Sequence, residues 1–334
     1  HVFGILAGFS DPEPLILPSN QTPLGALPAR FRRPRVLIVG CGDVGLRTAG
    51  QLGAPQAQRA RLLALTSSPE RVRLLRACGI TPLTGNLDQP ETLRRLSGLA
   101  QRVLHLAPPP GDVRGVVNHD PRTRNLLRAL RLRTPPQALV YASTTGVYGD
   151  CQGQRVPESR PVQPHTARAR RRVDAEQWVR LLGRSGVRST ILRVPGIYAQ
   201  DREGGTPRDR LLKGTPVLQA QDDVYTNHIH ANDLARACML ALWRGRSQRS
   251  LNICDDTDMK MGDYFDLAAD LMGLPRPPRI PRASASEVLP LMLLSFMSES
   301  RRLDNTRMKK ELRLKLRVPH VRQGLSPQPG LPGT

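Results

Sequence analysis

Gly40, Gly42 and Gly45, in the stretch VGCGDVG, keep a G-x-G-x-x-G spacing. The apolar run VLIV (36–39) leads into them, and LRTAGQL (46–52) follows with apolar residues at helical spacing. Between a strand and a helix, each glycine has a use. Gly40 permits a tight turn, Gly42 lets the backbone approach a pyrophosphate, and Gly45 lets the helix pack on the strand. The helix start, which includes Asp43 and Val44, offers free N–H groups and a positive dipole end to that phosphate. A dinucleotide is the ligand this arrangement predicts.

The second strand, RLLALT (61–66), refines the prediction. An acidic residue about twenty positions past the glycines would meet a free ribose 2′-hydroxyl. Here the strand ends in Thr66, Ser67 and Ser68, with Arg71 and Arg73 close behind and no Asp. Hydroxyls and arginine suit a 2′-phosphate, so NADP is preferred over NAD. A second chemical cluster lies in HTARARRRVDAE (165–176), with arginine at four of the five positions from Arg168 to Arg172. Taken alone it could be a nucleic-acid patch, a solvated helix face or a site with substituted residues.

Regular elements must hold these groups. PERVRLLRACGI (69–80) predicts a helix closing at Gly79, and TPLTGN (81–86) a third strand. QPETLRRLSGL (89–99) predicts a helix, RVLHLAP (102–108) a fourth strand, TRNLLRALR (123–131) a helix and ALVYAST (138–144) a fifth strand. Strand and helix alternate with short connections, which predicts an α/β, Rossmann-type doubly wound parallel sheet covered on both faces. In such sheets ligands bind at the carboxyl ends of the strands. LMLLSFM (291–297) is too short to span a membrane and reads as a buried helix.

Composition narrows the partners. The net charge is +22, almost all of it from arginine, and 4% of residues are aromatic. The arginines are spread through every segment, and no aromatic stacking platforms accompany them, so nucleic acid is not expected as the main partner. No apolar run is long enough for a membrane span. The N-terminus lacks the basic n-region of a signal peptide. Cys41, Cys78, Cys151, Cys238 and Cys254 are scattered without a CxxC pair. Neither a disulfide framework nor a metal site is predicted, and a cytoplasmic location is expected.

Four motifs, in order, carry a resemblance: YASTTGVYGD (141–150), LRVPGIYA (192–199), NHIHANDLARA (227–237) and SRRLDNTRMKKEL (300–312). Together they resemble the extended short-chain dehydrogenase/reductase superfamily, NAD(P)-dependent epimerases and dehydratases acting largely on nucleotide sugars. The GCGDVG turn is similar to that of atypical members. The resemblance covers roughly residues 35–325. It implies that Thr144, with Ser143 adjacent, hydrogen-bonds the reacting carbonyl or alcohol. Leu106, Ala107 and Pro108 would line the ribose and nicotinamide side, Asn86 would meet the adenine amino group, and Pro195 and Gly196 would pass the nicotinamide. Asn232 and Asp233 would cap a helix, and His230 would be structural. A loop over 201–216 would close on substrate, with Arg202, Arg208 and Arg210 as phosphate partners. Ser300, Arg301 and Asn305 would set a turn packed on the core.

The resemblance also implies a Tyr-x-x-x-Lys proton relay on the helix after strand five. Counting back from Glu176, the acidic position that ends the segment, places the lysine at Arg172 and the tyrosine at Arg168. No Tyr or Lys occurs between Gly149 and Tyr198. Arg172 can still bind ribose hydroxyls or a phosphate, but guanidinium at Arg168 does not release a proton near neutral pH. Three readings stay open. Another group carries the proton, with His165, Tyr148 and Tyr198 as candidates; or the chain binds NADP without turnover; or the arginines grip an anionic substrate such as a nucleotide-sugar diphosphate. Arg170 and Arg171 read as solvated helix surface.

The expected organisation is a Pro/Gly-rich extension (1–33), an NAD(P)-binding Rossmann domain (34–195), a substrate lobe (196–325, with 225–250 returning to the sheet) and a mobile tail (326–334). The expected function is an NAD(P)-binding oxidoreductase or epimerase; the alternative is a non-catalytic NADP-binding regulator or redox-sensing interaction protein. The oligomeric state stays open, a dimer included.

Overall fold

Apolar runs closed by glycine or polar turns make the strands: β1 (Arg35–Val39), β2 (Arg61–Thr66), β3 (Thr81–Thr84), β4 (Arg102–His105), β5 (Ala138–Thr144), β6 (Arg188–Val194) and β7 (Arg249–Asn252). The computed structural model describes residues 33–53, 60–111 and 118–326. Of the expected extension and tail, all but Arg33 and Ser326 lie outside the described residues. The strands form one sheet in the order β7-β6-β5-β4-β1-β2-β3, every pairing parallel. Strand order reverses at β1 and β4, which opens a crevice beyond their carboxyl ends.

Five helices cover the sheet: α1 (Asp43–Gly53), α2 (Arg71–Ala77), α3 (Pro121–Leu130), α4 (Ala167–Arg184) and α5 (Ala231–Arg244). Successive strand residues face opposite sides, and both sides are buried. Val36, Ile38, Leu104, Val140 and Leu192 pack with Leu52 of α1 and Leu234 and Leu242 of α5. Leu37, Val39, Val103, Leu139 and Ile191 pack with Leu126 and Leu130 of α3 and Ala175, Val179 and Leu182 of α4. Burial on both faces is why the strands read as near-continuous apolar runs. Side-chain caps start three of the helices, Asp120 accepting from Thr123 N, Thr166 from Ala169 N and His230 from Asn232 N. The fold is the doubly wound α/β sheet.

Two elements differ from expectation. The helix predicted over 89–99 is a 3₁₀ helix, Pro90–Leu96. Its buried residues, Leu93 and Leu96, are three apart, the spacing that aligns side chains in the tighter helix. Leu291–Met297 is helical but not buried: Leu291 is 85% exposed and only Met297 is buried. A helix of seven residues beginning after Pro290 turns few side chains inward. Elsewhere in the C-terminal part, Val217, Leu218, Tyr264, Phe265, Val321 and Leu325 make a third apolar cluster. Gly196–Tyr198 and His228–His230 pair as two short parallel strands.

Candidate cofactor and active site

The glycine turn is shaped by what surrounds each glycine. Gly40 has φ +86°, and a Cβ there would lie 2.4 Å from Ala107 N. Leu106 N and Ala107 N both donate to Val39 O, at 2.7 and 3.1 Å, so the end of β4 closes on the turn. A Cβ at Gly45 would come within 3.3 Å of Gly40 O, the close packing of helix on strand. Gly42 is different: a Cβ there would meet nothing within 4 Å. Bare backbone faces open space at the start of α1, the cradle a pyrophosphate requires. Val44 packs on the core beneath it.

Around this turn, Arg71 Nη2 donates to Cys41 O at 2.7 Å, which lays its guanidinium on the loop between Gly40 and Gly42. Thr66 Oγ1 accepts from Ser68 N at 3.2 Å and closes the end of β2, leaving Ser67 exposed. Arg73 points to solvent from α2. Asn86 Oδ1 accepts from Asp88 N at 3.0 Å, so its carbonyl serves its own turn. Pro108 is exposed.

Beyond the ends of β5 and β6 lies a cavity of about 570 Å³. Thr144, Arg168, Arg172, Pro195 and Gly196 line it together. Thr144 Oγ1 accepts from Gly146 N at 3.4 Å. Ser143 is buried behind it, and its hydroxyl has no hydrogen-bond partner among the described residues. Arg172 Nη1 donates to Ala142 O at 2.7 Å and Tyr141 Oη at 3.1 Å. Arg168 lies over the Phe296 ring at 4.9 Å.

The loop arginines divide. Arg202 lines the cavity and pairs with Asp43 at 2.5 Å, while Arg47 bridges Asp43 and Asp201. Arg210 lies over Phe265 at 4.2 Å, and its Nε and Nη2 are buried without an acceptor among the described residues. That burial lowers the pKa of its guanidinium. Arg208 is exposed and does not line the cavity. Arg301 lines it and pairs with Glu299 at 2.8 Å. Arg168, Arg172 and Arg210 make no salt bridge among the described residues; their direct contacts are neutral, and Asp120 is the carboxylate within electrostatic reach of Arg172. A cavity walled by such cations attracts anions.

The candidate proton carriers separate as clearly. His165 is exposed, beside Gly149 and outside the cavity. Tyr148 is buried, and its Oη donates to Asn252 Oδ1 at 2.8 Å. Tyr198 lines the cavity, but its Oη donates to Asp255 Oδ2 at 3.3 Å, and burial raises its pKa strongly. His230 caps α5, its Nδ1 accepting from Asn232 N at 3.3 Å. The cap expected from Asn232 and Asp233 is therefore made by His230, which precedes the helix with extended backbone. Asn232 accepts from Arg47, and Asp233, fully buried one turn in, accepts from Arg317 N and Val318 N. Ser300 accepts from Cys151 N and Gly153 N, and Asn305 donates to Cys254 O.

Arg171 corrects a further expectation. Arg170 is exposed, but Arg171 is 5% exposed. It falls at i, i+4 and i+8 with Ala175 and Val179, the inward face of α4.

Two further buried side chains near the cavity were not singled out from the sequence. Arg193 grips Glu176 with Nε and Nη2 at 3.1 and 2.8 Å, both residues buried, and covers the Tyr148 ring at 4.7 Å. His228 lines the cavity, stacked on Tyr264 with centroids 4.2 Å apart. Its Cδ2 would lie 3.5 Å from a Cβ at Gly196, and its Nδ1 is buried without a partner among the described residues. Burial pulls its pKa down to about 4, so the ring is neutral at pH 7. The i, i+2 spacing in HIH was the available signal, since it sets both imidazoles against Tyr198. Among the described residues, no three His, Cys, Asp or Glu gather as a metal site would need, and no helix is long and apolar enough to cross a membrane.

Burial pushes the Asp255 carboxyl up to about 7, beneath the Tyr198 hydroxyl. A carboxyl raised on folding contributes stability that is complete below its unfolded pKa of about 4 and is lost as pH rises through about 7. Asp255→Asn removes that loss. Thermal melts should therefore show the variant gaining on the wild type from pH 4 to pH 8; a constant difference would contradict the burial argument.

The chain matches the description "NAD dependent epimerase/dehydratase family" over residues 37–254, a span that contains the glycine turn, the end of β5 and α4. It belongs to that family. Protein YeeZ of Escherichia coli (strain K12) is 30% identical over 149 residues, 45% of this chain and 50% of that protein. This epimerase/dehydratase-family chain spans about half the length of the curated relatives it matches. A conserved protein of unknown function from Silicibacter pomeroyi has a solved structure similar to it, with 29% identity and TM-score 0.71, covering 87% of this chain and 96% of the other. The UDP-glucuronic acid 4-epimerase of Bacillus cereus, solved with UDP-glucuronic acid and NAD, has TM-score 0.67 at 16% identity, with the same coverage of both chains. At that identity the likeness shows the fold.

Proposed function

We propose that this family member is an NADP-binding oxidoreductase or epimerase acting on an anionic substrate of the nucleotide-sugar class. One observation carries the reading: Arg202 lines the arginine-walled cavity and pairs with Asp43 of the glycine turn. The phosphate cradle at Gly42 and the cavity at Thr144 therefore adjoin, as a dinucleotide and its substrate require. Arg71 is in reach of a 2′-phosphate, and Arg168, Arg172 and Arg210 would neutralise the substrate anion. The NAD and UDP-sugar held by the Bacillus cereus enzyme support the pairing of ligands. A bound nicotinamide would supply hydride transfer. Thr144 would orient the reacting oxygen, and neutral His228, against Gly196, would hold the reacting group by a hydrogen bond, burial disfavouring its protonated form.

The second reading, an NADP-binding regulator without turnover, rests on arginine at both relay positions. Turnover separates the two. UDP-glucose with NADP or NAD should give measurable epimerisation or nicotinamide reduction, lowered about a hundredfold in His228→Leu, the usual scale of one lost hydrogen bond to the reacting group, with dinucleotide affinity unchanged. Dinucleotide binding by a wild type inert toward sugar nucleotides would favour the regulator.

A further inference from the structure

Arginines that look scattered along the chain are gathered by the fold on one edge of the sheet. Five of the seven strands begin with arginine: Arg35, Arg61, Arg102, Arg188 and Arg249. Arg61 stands opposite Arg35 in register, and Arg102 and Arg188 both align with Ala138. Because every strand is parallel, this edge is the one opposite the cavity. Helices α3, α4 and α5 run back to it, and their last residues or the turns just after them carry Arg131 and Arg133, Arg184, and Arg244 and Arg246. The connections at 97–101, 131–137, 184–187 and 244–248 contain no Asp or Glu. Hydrogen bonds stitch the strand entries into one surface: Arg35 N to Gln101 Oε1, Gln137 N to Gln101 O and Arg188 N to Gln137 O.

Local structure accounts for part of this charge. Arg102 and Arg188 both donate to Leu242 O at the negative end of α5, and Arg249 pairs with Glu311. It gives no use for Arg61, Arg131, Arg133 and Arg184, which are exposed and have no carboxylate partner among the described residues. Mutual repulsion makes such a surplus a cost unless an anion meets it. From β2 to β6 the edge crosses four strand spacings, about 19 Å. A duplex presents one charge per about 1.7 Å of axis, so that width meets many phosphates. Trp243 lies under Arg102, which leaves phosphate contact rather than base stacking as the chemistry on offer.

We propose that the amino-terminal edge of the sheet binds the phosphate backbone of a nucleic-acid duplex, independently of the cavity. The test follows anisotropy of a short labelled DNA duplex through a salt series, with three proteins. Arg131→Gln/Arg133→Gln/Arg184→Gln removes edge charge, and Lys213→Gln/Arg276→Gln/Arg322→Gln removes the same charge from the C-terminal part. All three proteins should melt alike, since the changed residues are exposed. The wild type should bind, with affinity falling steeply from about 50 to 200 mM salt. The edge variant should bind at least about tenfold more weakly, its log–log salt slope shallower by about 0.9 for each phosphate it no longer neutralises. The other variant should stay close to wild type. Equal loss in both variants, no duplex binding at low salt, or binding to phosphatidylserine vesicles but not to the duplex would overturn the proposal.

Discussion

Gly42→Asp should lose dinucleotide affinity by at least about a hundredfold while melting at the wild-type temperature. The two halves of this expectation have separate causes. A Cβ at Gly42 meets nothing within 4 Å, so the folded chain accepts a side chain there without displacing its own atoms. The same space is where a pyrophosphate would need bare N–H groups, and a carboxylate in it adds like-charge repulsion worth several kcal/mol. Gly40 makes the contrast. With φ +86° and Ala107 N at 2.4 Å from its notional Cβ, Gly40→Ala must displace backbone and should lower the melting temperature directly. Calorimetric titration beside thermal melts checks both variants. A Gly42→Asp protein that binds dinucleotide as well as wild type would remove the glycine turn from the cofactor site.

The second large effect is on stability. Glu176→Ala should cost about 3–5 kcal/mol, read by urea unfolding. Arg193 is 3% exposed and takes both carboxylate oxygens of Glu176; without them its charge stays buried, with the Tyr148 ring as neighbour. Glu176→Leu/Arg193→Met should recover most of the loss, because removing both charges removes the desolvation cost together with the pair. A small effect of Glu176→Ala would mean that water reaches the site.

Much of this molecule could be read from its residues where two local signals agreed. The glycine spacing was informative because an apolar strand preceded it and a helix followed. The substitution of the relay was equally legible, since a segment without Tyr or Lys cannot supply either side chain. Other features depend on tertiary contacts that periodicity does not contain. Arg171 is charged and so reads as surface, yet it shares the inward face of α4. The apolar Leu291–Met297 helix reads as core, but apolar spacing says nothing of what covers a face, and Leu291 is left in solvent. His228 was one histidine among seven until the pairing of His228–His230 with Gly196–Tyr198 set it on the cavity wall. The arginine edge is invisible along the chain because its members come from separate strands and meet only in the parallel register.

The most direct test of the central claim is calorimetric titration of the wild-type protein and Arg71→Ala with NADPH and NADH. The wild type should bind one dinucleotide, NADPH more tightly than NADH, and Arg71→Ala should erase the difference while keeping NADH affinity. Failure of the wild type to bind either cofactor would contradict the reading of the Gly42 cradle and the adjoining cavity as one oxidoreductase site.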